Sequence, residues 1–301
     1  MRRLLALLAC AALLSGCPSF ARGPLPGEPA TATFAVVDGV RLRYLDVGSG
    51  RPVVLVHGFG VSLDEWLPII PDLVQSGHRV LALDLKGFGF SDRPPGDYSP
   101  QAEASLVLHL MDQRGIEASA GVGHSWGASV VLAAALAAPE RFSRIALYDG
   151  FVYTAEIPTA SYFARAPGLG EASFAMYLPE RLDEKVALAF FNPDLVTQDV
   201  VDAAERAMDR PGTVAAALAT VRGTHRIADI EGRYGTIKQP TLLLWGREDG
   251  VTPLSFGERL ASDLPHAKLL VYPRCGHLPM FEARVRSTSD LVDFLAEAPA
   301  Q

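Results

Sequence analysis

Gly123-His124-Ser125-Trp126-Gly127 is the stretch on which the reading of this chain turns. It joins a short β-like segment, Ala118 to Val122, to an alanine-rich helical stretch, Ala128 to Ala138. A serine on so sharp a strand-to-helix turn has its hydroxyl pushed clear of the chain. The spacing predicts a strained, positive φ at Ser125, with glycines two residues to either side where a Cβ would collide with facing backbone. The helix that follows aims free N–H groups and its positive dipole end at the serine oxygen, which favours negative charge developing there. Ser125 is therefore a candidate nucleophile, although glycine-flanked serines also occur in ordinary turns.

The segments around this turn alternate between strand and helix. Thr31 to Val37 and Arg41 to Asp46 read as paired strands, with Asp38-Gly39 as their hairpin turn. Pro52 to Val56 is a continuous apolar, β-branched run, as a strand buried on both faces requires. A helix around Leu63 to Ser76, a strand at Arg79 to Asp84 and a helix at Gln101 to Arg114 lead to the serine turn. Beyond it come strands at Arg144 to Tyr148, Thr241 to Trp245 and Lys268 to Tyr272, with helices at Leu254 to Leu264 and Val285 to Ala296. This order implies an α/β fold with a parallel sheet and helices on both faces. Between Gly150 and about Ile237 the alternation stops, and Ser161 to Ala166, Gly170 to Tyr177, Leu182 to Phe191, Asp199 to Met208 and Thr213 to Val221 read as helices. An insertion of that kind at the carboxyl edge of a sheet is expected to form a lid.

A serine nucleophile needs a base, a group that orients the base, and donors for the oxyanion. His277, in Arg274-Cys275-Gly276-His277, follows the last strand and is the candidate base. Asp249, in Trp245-Gly246-Arg247-Glu248-Asp249, ends the strand before and is the candidate orienter, with Glu248 and Asp149 as rivals. The oxyanion donors are expected to be the backbone N–H groups of Trp126 and of Phe59, in His57-Gly58-Phe59-Gly60 after the first buried strand. His57 and His124 are read as structural, and His78, His109, His225 and His266 as scattered surface or core residues. No metal-ligand or phosphate-loop spacing is present, so no metal and no cofactor is expected.

Taken together, these residues resemble the α/β-hydrolase family from about Thr31 to the C-terminus. Serine, aspartate, histidine is that family's chain order. Asp84-Leu85-Lys86-Gly87-Phe88-Gly89-Phe90-Ser91-Asp92 is similar to the family's D-x-R-G-x-G-x-S loop, with Lys86 in place of the arginine. The resemblance implies a mostly parallel central sheet of about eight strands, with an inserted helical cap. The chain then divides into 1–16, a signal peptide; 17–30, an acylated cysteine and tether; 31–150, the first part of the core; 151–237, the cap; and 238–301, the second part of the core.

The N-terminal divisions rest on their own signals. Arg2 and Arg3, the apolar run Leu4 to Leu14, and Leu14-Ser15-Gly16-Cys17 resemble a bacterial lipoprotein signal whose cysteine is acylated. The apolar run is too short for an ordinary transmembrane helix. Pro18 is not the aspartate associated with retention in the inner membrane, so an outer-membrane destination is favoured in a two-membrane cell. Removing Arg2 and Arg3 with the signal takes the formal charge from −7, on 27 basic and 34 acidic residues, to −9. Such a chain has no broad basic surface for nucleic acid or anionic lipid, and attachment falls to the acyl chains on Cys17. Cys10 leaves with the signal, so Cys275 has no disulfide partner and reads as a buried filler.

The resemblance implies a serine hydrolase with a small-molecule acyl substrate, a carboxylic ester of modest size, and no cofactor. Phe151, Tyr153, Phe163, Phe174, Met176, Tyr177, Phe190 and Phe191 are candidate walls of an apolar acyl pocket under the cap. Ring-fission C–C hydrolases, cofactor-free perhydrolases and proline iminopeptidases share the same triad and remain alternatives. A non-catalytic envelope-binding lipoprotein is the alternative from another class. Substrate and oligomeric state are left open by the sequence.

Overall fold

The structure, a computed structural model, describes residues 19–177, 180 and 182–297. The signal peptide and Cys17 lie outside the described residues. The chain opens with β1 (Thr33–Val37), β2 (Val40–Gly48) and β3 (Arg51–Val56), then α1 (Ile70–Gln75), β4 (His78–Leu83), α2 (Pro100–Gln113), β5 (Ser119–His124), α3 (Trp126–Ala137) and β6 (Phe142–Tyr148). A helical stretch follows, with α4 (Leu169–Tyr177), α5 (Leu182–Ala187), α6 (Gln198–Met208), α7 (Thr213–Gly223) and α8 (Ala228–Glu231). The core resumes with β7 (Thr241–Gly246), α9 (Leu254–Asp263), β8 (Ala267–Tyr272), α10 (Pro279–Glu282) and α11 (Arg284–Ala296).

The eight strands form one sheet in the order β1-β2-β4-β3-β5-β6-β7-β8. β1 and β2 pair antiparallel, as do β2 and β4, and every other pairing is parallel. The β1–β2 turn is the expected Asp38-Gly39, with both residues at positive φ.

The apolar runs are explained by what each face covers. Val54 and Val56 of β3 pack with Leu81, Leu83, Leu243, Trp245 and the α3 residues Val130 and Ala134. Val53 and Leu55 pack on the other face with Trp66, Ile69, Leu73, Tyr148 and Leu291. Successive side chains therefore all lose water, at about 1.5–3 kcal/mol for each large aliphatic group.

The expected helix from Leu63 to Ser76 is interrupted. A 3-10 turn at Leu63–Trp66 comes first, and α1 begins only at Ile70, because Pro68 and Pro71 supply no N–H for the bonds that would join the two pieces. Helices in the stretch after β6 follow the expected positions, although Thr159–Arg165 is 3-10 and α5 stops at Ala187.

The expectation of an extended tether at 17–30 needs correction from residue 20 onward. Ala21 pairs with Arg93 in an antiparallel bridge, the Gly23 N–H donates to Asp92 Oδ1 at 2.7 Å, and Leu25 is buried. Glu28 makes a two-pronged ion pair with Arg41, at 2.6 and 3.0 Å. Apolar Phe20 and Leu25 find partners on the core, which a Pro- and Gly-rich composition alone does not reveal.

Candidate active site

Four strand ends meet around Ser125. Ser125 itself has φ +49° and heads α3. This geometry depends on its glycines: a Cβ on Gly127 would lie 2.1 Å from the Val56 carbonyl oxygen, and one on Gly123 would lie 2.6 Å from that of Gly127. The elbow thus packs directly on the end of β3. Its backbone is held by Ser125 N–H donating to Tyr148 O and Phe151 N–H donating to Ser125 O, both at 3.0 Å.

The loop after β7 carries Asp249, and the loop after β8 carries His277. Asp249 Oδ2 lies 2.8 Å from His277 Nδ1. The same carboxylate accepts from Val251 N–H (2.7 Å), Thr252 N–H (3.0 Å) and the Thr252 hydroxyl (2.7 Å). Burial alone would raise Asp249, but the His277 and Thr252 contacts outweigh it and hold the carboxyl below its ordinary value. Burial lowers His277, against the pull of Asp249, so the imidazole rests neutral with Nε2 available as an acceptor. No hydrogen bond joins Nε2 to the Ser125 hydroxyl, although the two loops touch through the neighbouring His124, whose Nε2 lies 2.9 Å from His277 O. Serine–histidine contacts commonly tighten only with substrate in place.

The Trp126 and Phe59 N–H groups donate to no described residue, as an oxyanion site requires. His57 Nε2 accepts from Leu85 N–H at 2.9 Å and its Nδ1 meets Gly58 O at 2.7 Å, which ties the Phe59 loop to the loop after β4. Lys86 is mostly buried beside Glu103, at 3.4 Å, and donates to Asp97 O at 2.5 Å. Cys275 is a free, fully buried thiol, raised by burial and by surrounding carboxylates, and so inert.

Two acidic residues contribute more than the sequence discloses. Glu65 Oε1 accepts from Gly58 N–H at 3.1 Å and its Oε2 lies 3.1 Å from His124 Nδ1. Both ring nitrogens of buried His124 therefore face acceptors. Burial works against its charged form, but Glu65 prevails and raises it, and the ring bridges the Gly58 loop to His277. Glu282 on α10 accepts from Phe191 N–H (2.9 Å), Asn192 N–H (2.8 Å) and Gly276 N–H (2.6 Å). No motif marks either residue, because each acts on backbone N–H groups outside its own turn or helix.

The expected pocket walls divide. Phe190 and Phe191 stand beside His277: Ala189 O accepts the His277 N–H at 2.8 Å, and Phe191 N–H reaches Glu282. Phe151 is half-buried against the core and Phe174 is half-buried in α4. Tyr153 is not a cap residue at all; it is fully buried in the core, with its hydroxyl donating to Asp263 at 2.6 Å. Phe163 and Met176 face solvent, 64% and 75% exposed, since the face of their helices that packs on α7 is the small-residue one. The Tyr177 side chain lies outside what the structure describes.

A buried nucleophile turn, a carboxylate–imidazole pair and two free N–H groups at the ends of a doubly covered sheet define a hydrolase of α/β type. A family model described as alpha/beta hydrolase fold matches residues 51–284, and the chain belongs to that family. It is similar to 2-hydroxymuconate semialdehyde hydrolase of Pseudomonas sp. (strain CF600), 30% identical over 284 residues that cover 91% of this chain and 96% of the relative. A solved structure of the meta-cleavage product hydrolase CumD from Pseudomonas fluorescens IP01 superposes with a TM-score of 0.75 at 30% identity, over 87% of this chain and 97% of that one. An esterase from Exiguobacterium antarcticum shares the fold, with a TM-score of 0.76 at 21% identity, over 89% and 100% of the two chains.

Proposed function

We propose that this hydrolase cleaves carboxylic esters of small to medium size through an acyl-enzyme on Ser125. The observation that carries the reading is the positive-φ serine at the head of α3, whose neighbour His124 touches the loop of His277, itself paired with Asp249 from the loop before. Ser125 Oγ attacks the substrate carbonyl while His277 Nε2 takes its proton, and Asp249 holds the imidazole and the imidazolium it becomes. The Trp126 and Phe59 N–H groups receive the oxyanion, and loss of one such donor costs about 3–4 kcal/mol of transition-state stabilisation. His277 then passes its proton to the leaving alcohol. Water, deprotonated by the same base, attacks the Ser125 ester and releases the carboxylic acid.

Cleavage of a carbon–carbon bond in ring-fission products is a second reading, favoured by the names of the relatives at 30% identity. It uses the same nucleophile with a carbanion-equivalent leaving group. Steady-state turnover of p-nitrophenyl esters of increasing chain length, measured beside 2-hydroxymuconate semialdehyde, separates the two. The expected result is faster turnover of at least one ester, and faster turnover of the ring-fission compound than of every ester overturns the first reading.

The N-terminal sequence supports attachment to a bacterial envelope membrane through an acylated Cys17, with no nucleic-acid partner. Cys17→Ser is expected to abolish incorporation of radiolabelled palmitate and move the protein to the soluble fraction. Unchanged labelling would remove the anchor from the proposal.

A further inference from the structure

Asp149 directly follows β6, with φ +41°, and is fully buried. Its Oδ1 accepts from Gly246 N–H at 2.8 Å, while Oδ2 has no hydrogen-bond partner among the described residues. One oxygen of Asp149, one of Asp249 and a ring nitrogen of His277 lie within 4.8 Å of one another. Two buried carboxyl groups at that range cannot both ionise without a cation beside them. The groups that face Asp149 supply none. They are Asp249 from the loop after β7, His277 and Cys275 from the loop after β8, Glu282 from α10, and Tyr148 from its own strand.

Counting donors decides which of the two acids keeps its charge. Asp249 collects two backbone N–H groups, the Thr252 hydroxyl and His277 Nδ1, whereas Asp149 collects a single N–H. A proton on Asp149 Oδ2 turns an acceptor that lacks a donor into a donor that faces an acceptor. It also removes one of two adjacent charges. We propose that Asp149 carries a proton on Oδ2 at neutral pH and donates it to the Asp249 carboxylate, as a positioning residue behind His277. Burial first, and then the Asp249 charge, push the Asp149 carboxyl in that direction. The shared proton draws charge from Asp249 and makes it a weaker partner for an imidazolium. His277 is thereby kept neutral and ready to accept the Ser125 proton. That consequence rests on the reading of Asp249 and His277 as the catalytic pair, but the protonation of Asp149 does not.

Two measurements on the full chain test this. The infrared difference spectrum between wild type and Asp149→Asn at neutral pH is expected to show loss of a protonated carboxyl C=O stretch that shifts in D2O. Loss of ionised-carboxylate bands in its place overturns the proposal. The rate of Ser125 labelling by a fluorophosphonate probe is then followed against pH. Asp149→Asn retains a donor to Asp249 and places there a residue type that tolerates the left-handed backbone, so its acid-side midpoint is expected to stay at the wild-type value. Asp149→Ala removes the donor, and its midpoint is expected to rise by about half a pH unit or more. Midpoints that move together in the two variants, or in neither, overturn the positioning role. A folded wild type that takes no label overturns the serine-hydrolase reading itself, and the infrared result still judges the proton.

Discussion

The loops that end β3, β5, β6, β7 and β8 bury His57, Ser125, Asp149, Asp249, Cys275 and His277, whereas the helical stretch from Thr154 to Thr236 turns large apolar side chains to solvent. Ser125, Asp249 and His277 are each less than a tenth exposed, and they follow strands whose ladders end at His124, Gly246 and Tyr272. In the helical stretch, Tyr162, Phe163, Leu169, Met176 and Leu188 are all more than half exposed. Among the described residues of this stretch, the longest continuous buried run is Ala215 to Leu218 of α7. A few ties join the two regions. Arg93, buried and lowered to about 10 by burial and by Arg210, donates to Thr213 Oγ1 at 3.1 Å, and Glu282 holds the Phe191–Asn192 turn over His277. The candidate site thus sits on the part of the molecule that parallel pairing makes rigid, beside a helical stretch tied to it at a few points.

The rigid side is broken most severely at the proposed nucleophile. Ser125→Ala is expected to lower kcat by at least about a thousand-fold and to abolish fluorophosphonate labelling, with the fold intact by circular dichroism. A labelled Ser125→Ala protein would move the nucleophile elsewhere. The junction comes next. Glu282→Ala leaves three N–H groups without their acceptor, at a cost of about 1–3 kcal/mol of stability. Because one of the three belongs to Gly276, beside His277, kcat/KM is expected to fall along with the melting temperature. A loss of stability with unchanged kcat/KM would show that the cap and the base are mechanically separate.

The same contrast explains what could be read in advance. Ser125, Asp249, His277, Phe59 and Trp126 were legible because each ends an apolar run and carries a turn motif whose sterics allow few alternatives. The structure brings Asp249 onto His277, at 2.8 Å. Glu65, Glu282 and the protonation of Asp149 were not legible. Their partners are backbone N–H groups or a carboxylate at least 6 residues away, and in Glu282's case up to 91. Tyr153, Phe163 and Met176 failed as pocket walls for a related reason. Aromatic content says that a helix has an apolar face, but not which neighbour covers it, and Tyr153 proves to be core while Phe163 is surface.

The pH response distinguishes the two regions at a smaller scale. His277 is held below its ordinary 6.5 by burial, so the acid-side midpoint of kcat/KM is expected to fall under that value. At the start of the helical stretch, Glu156 is pushed up to about 8 by burial, its Oε1 accepting from Val152 and Tyr153 N–H and its Oε2 without a partner among the described residues. The unfolded chain loses this proton near 4.5, while the folded protein keeps it to about 8. The folded state therefore binds more protons over that window, and stability falls as pH rises through it. Glu156→Gln is expected to flatten this part of the melting-temperature profile, and an unchanged slope would place the titration elsewhere.

The smallest effects are expected on the outer face of the cap. Phe163→Ala and Met176→Ala remove side chains that are mostly in water already, so each should change stability by less than about 0.5 kcal/mol. If the cap keeps the arrangement described, neither side chain reaches the acyl group, and the preference among p-nitrophenyl esters should be that of the wild type. Phe190→Ala, on the segment whose neighbouring carbonyl accepts the His277 N–H, should by contrast change that preference, since one methylene more or less in an apolar pocket is worth about 1–3 kcal/mol. A chain-length shift in Phe163→Ala or Met176→Ala would mean that these side chains turn inward when substrate binds. The cap would then be a closing element, and the exposed apolar groups on it would be the surface that closure buries.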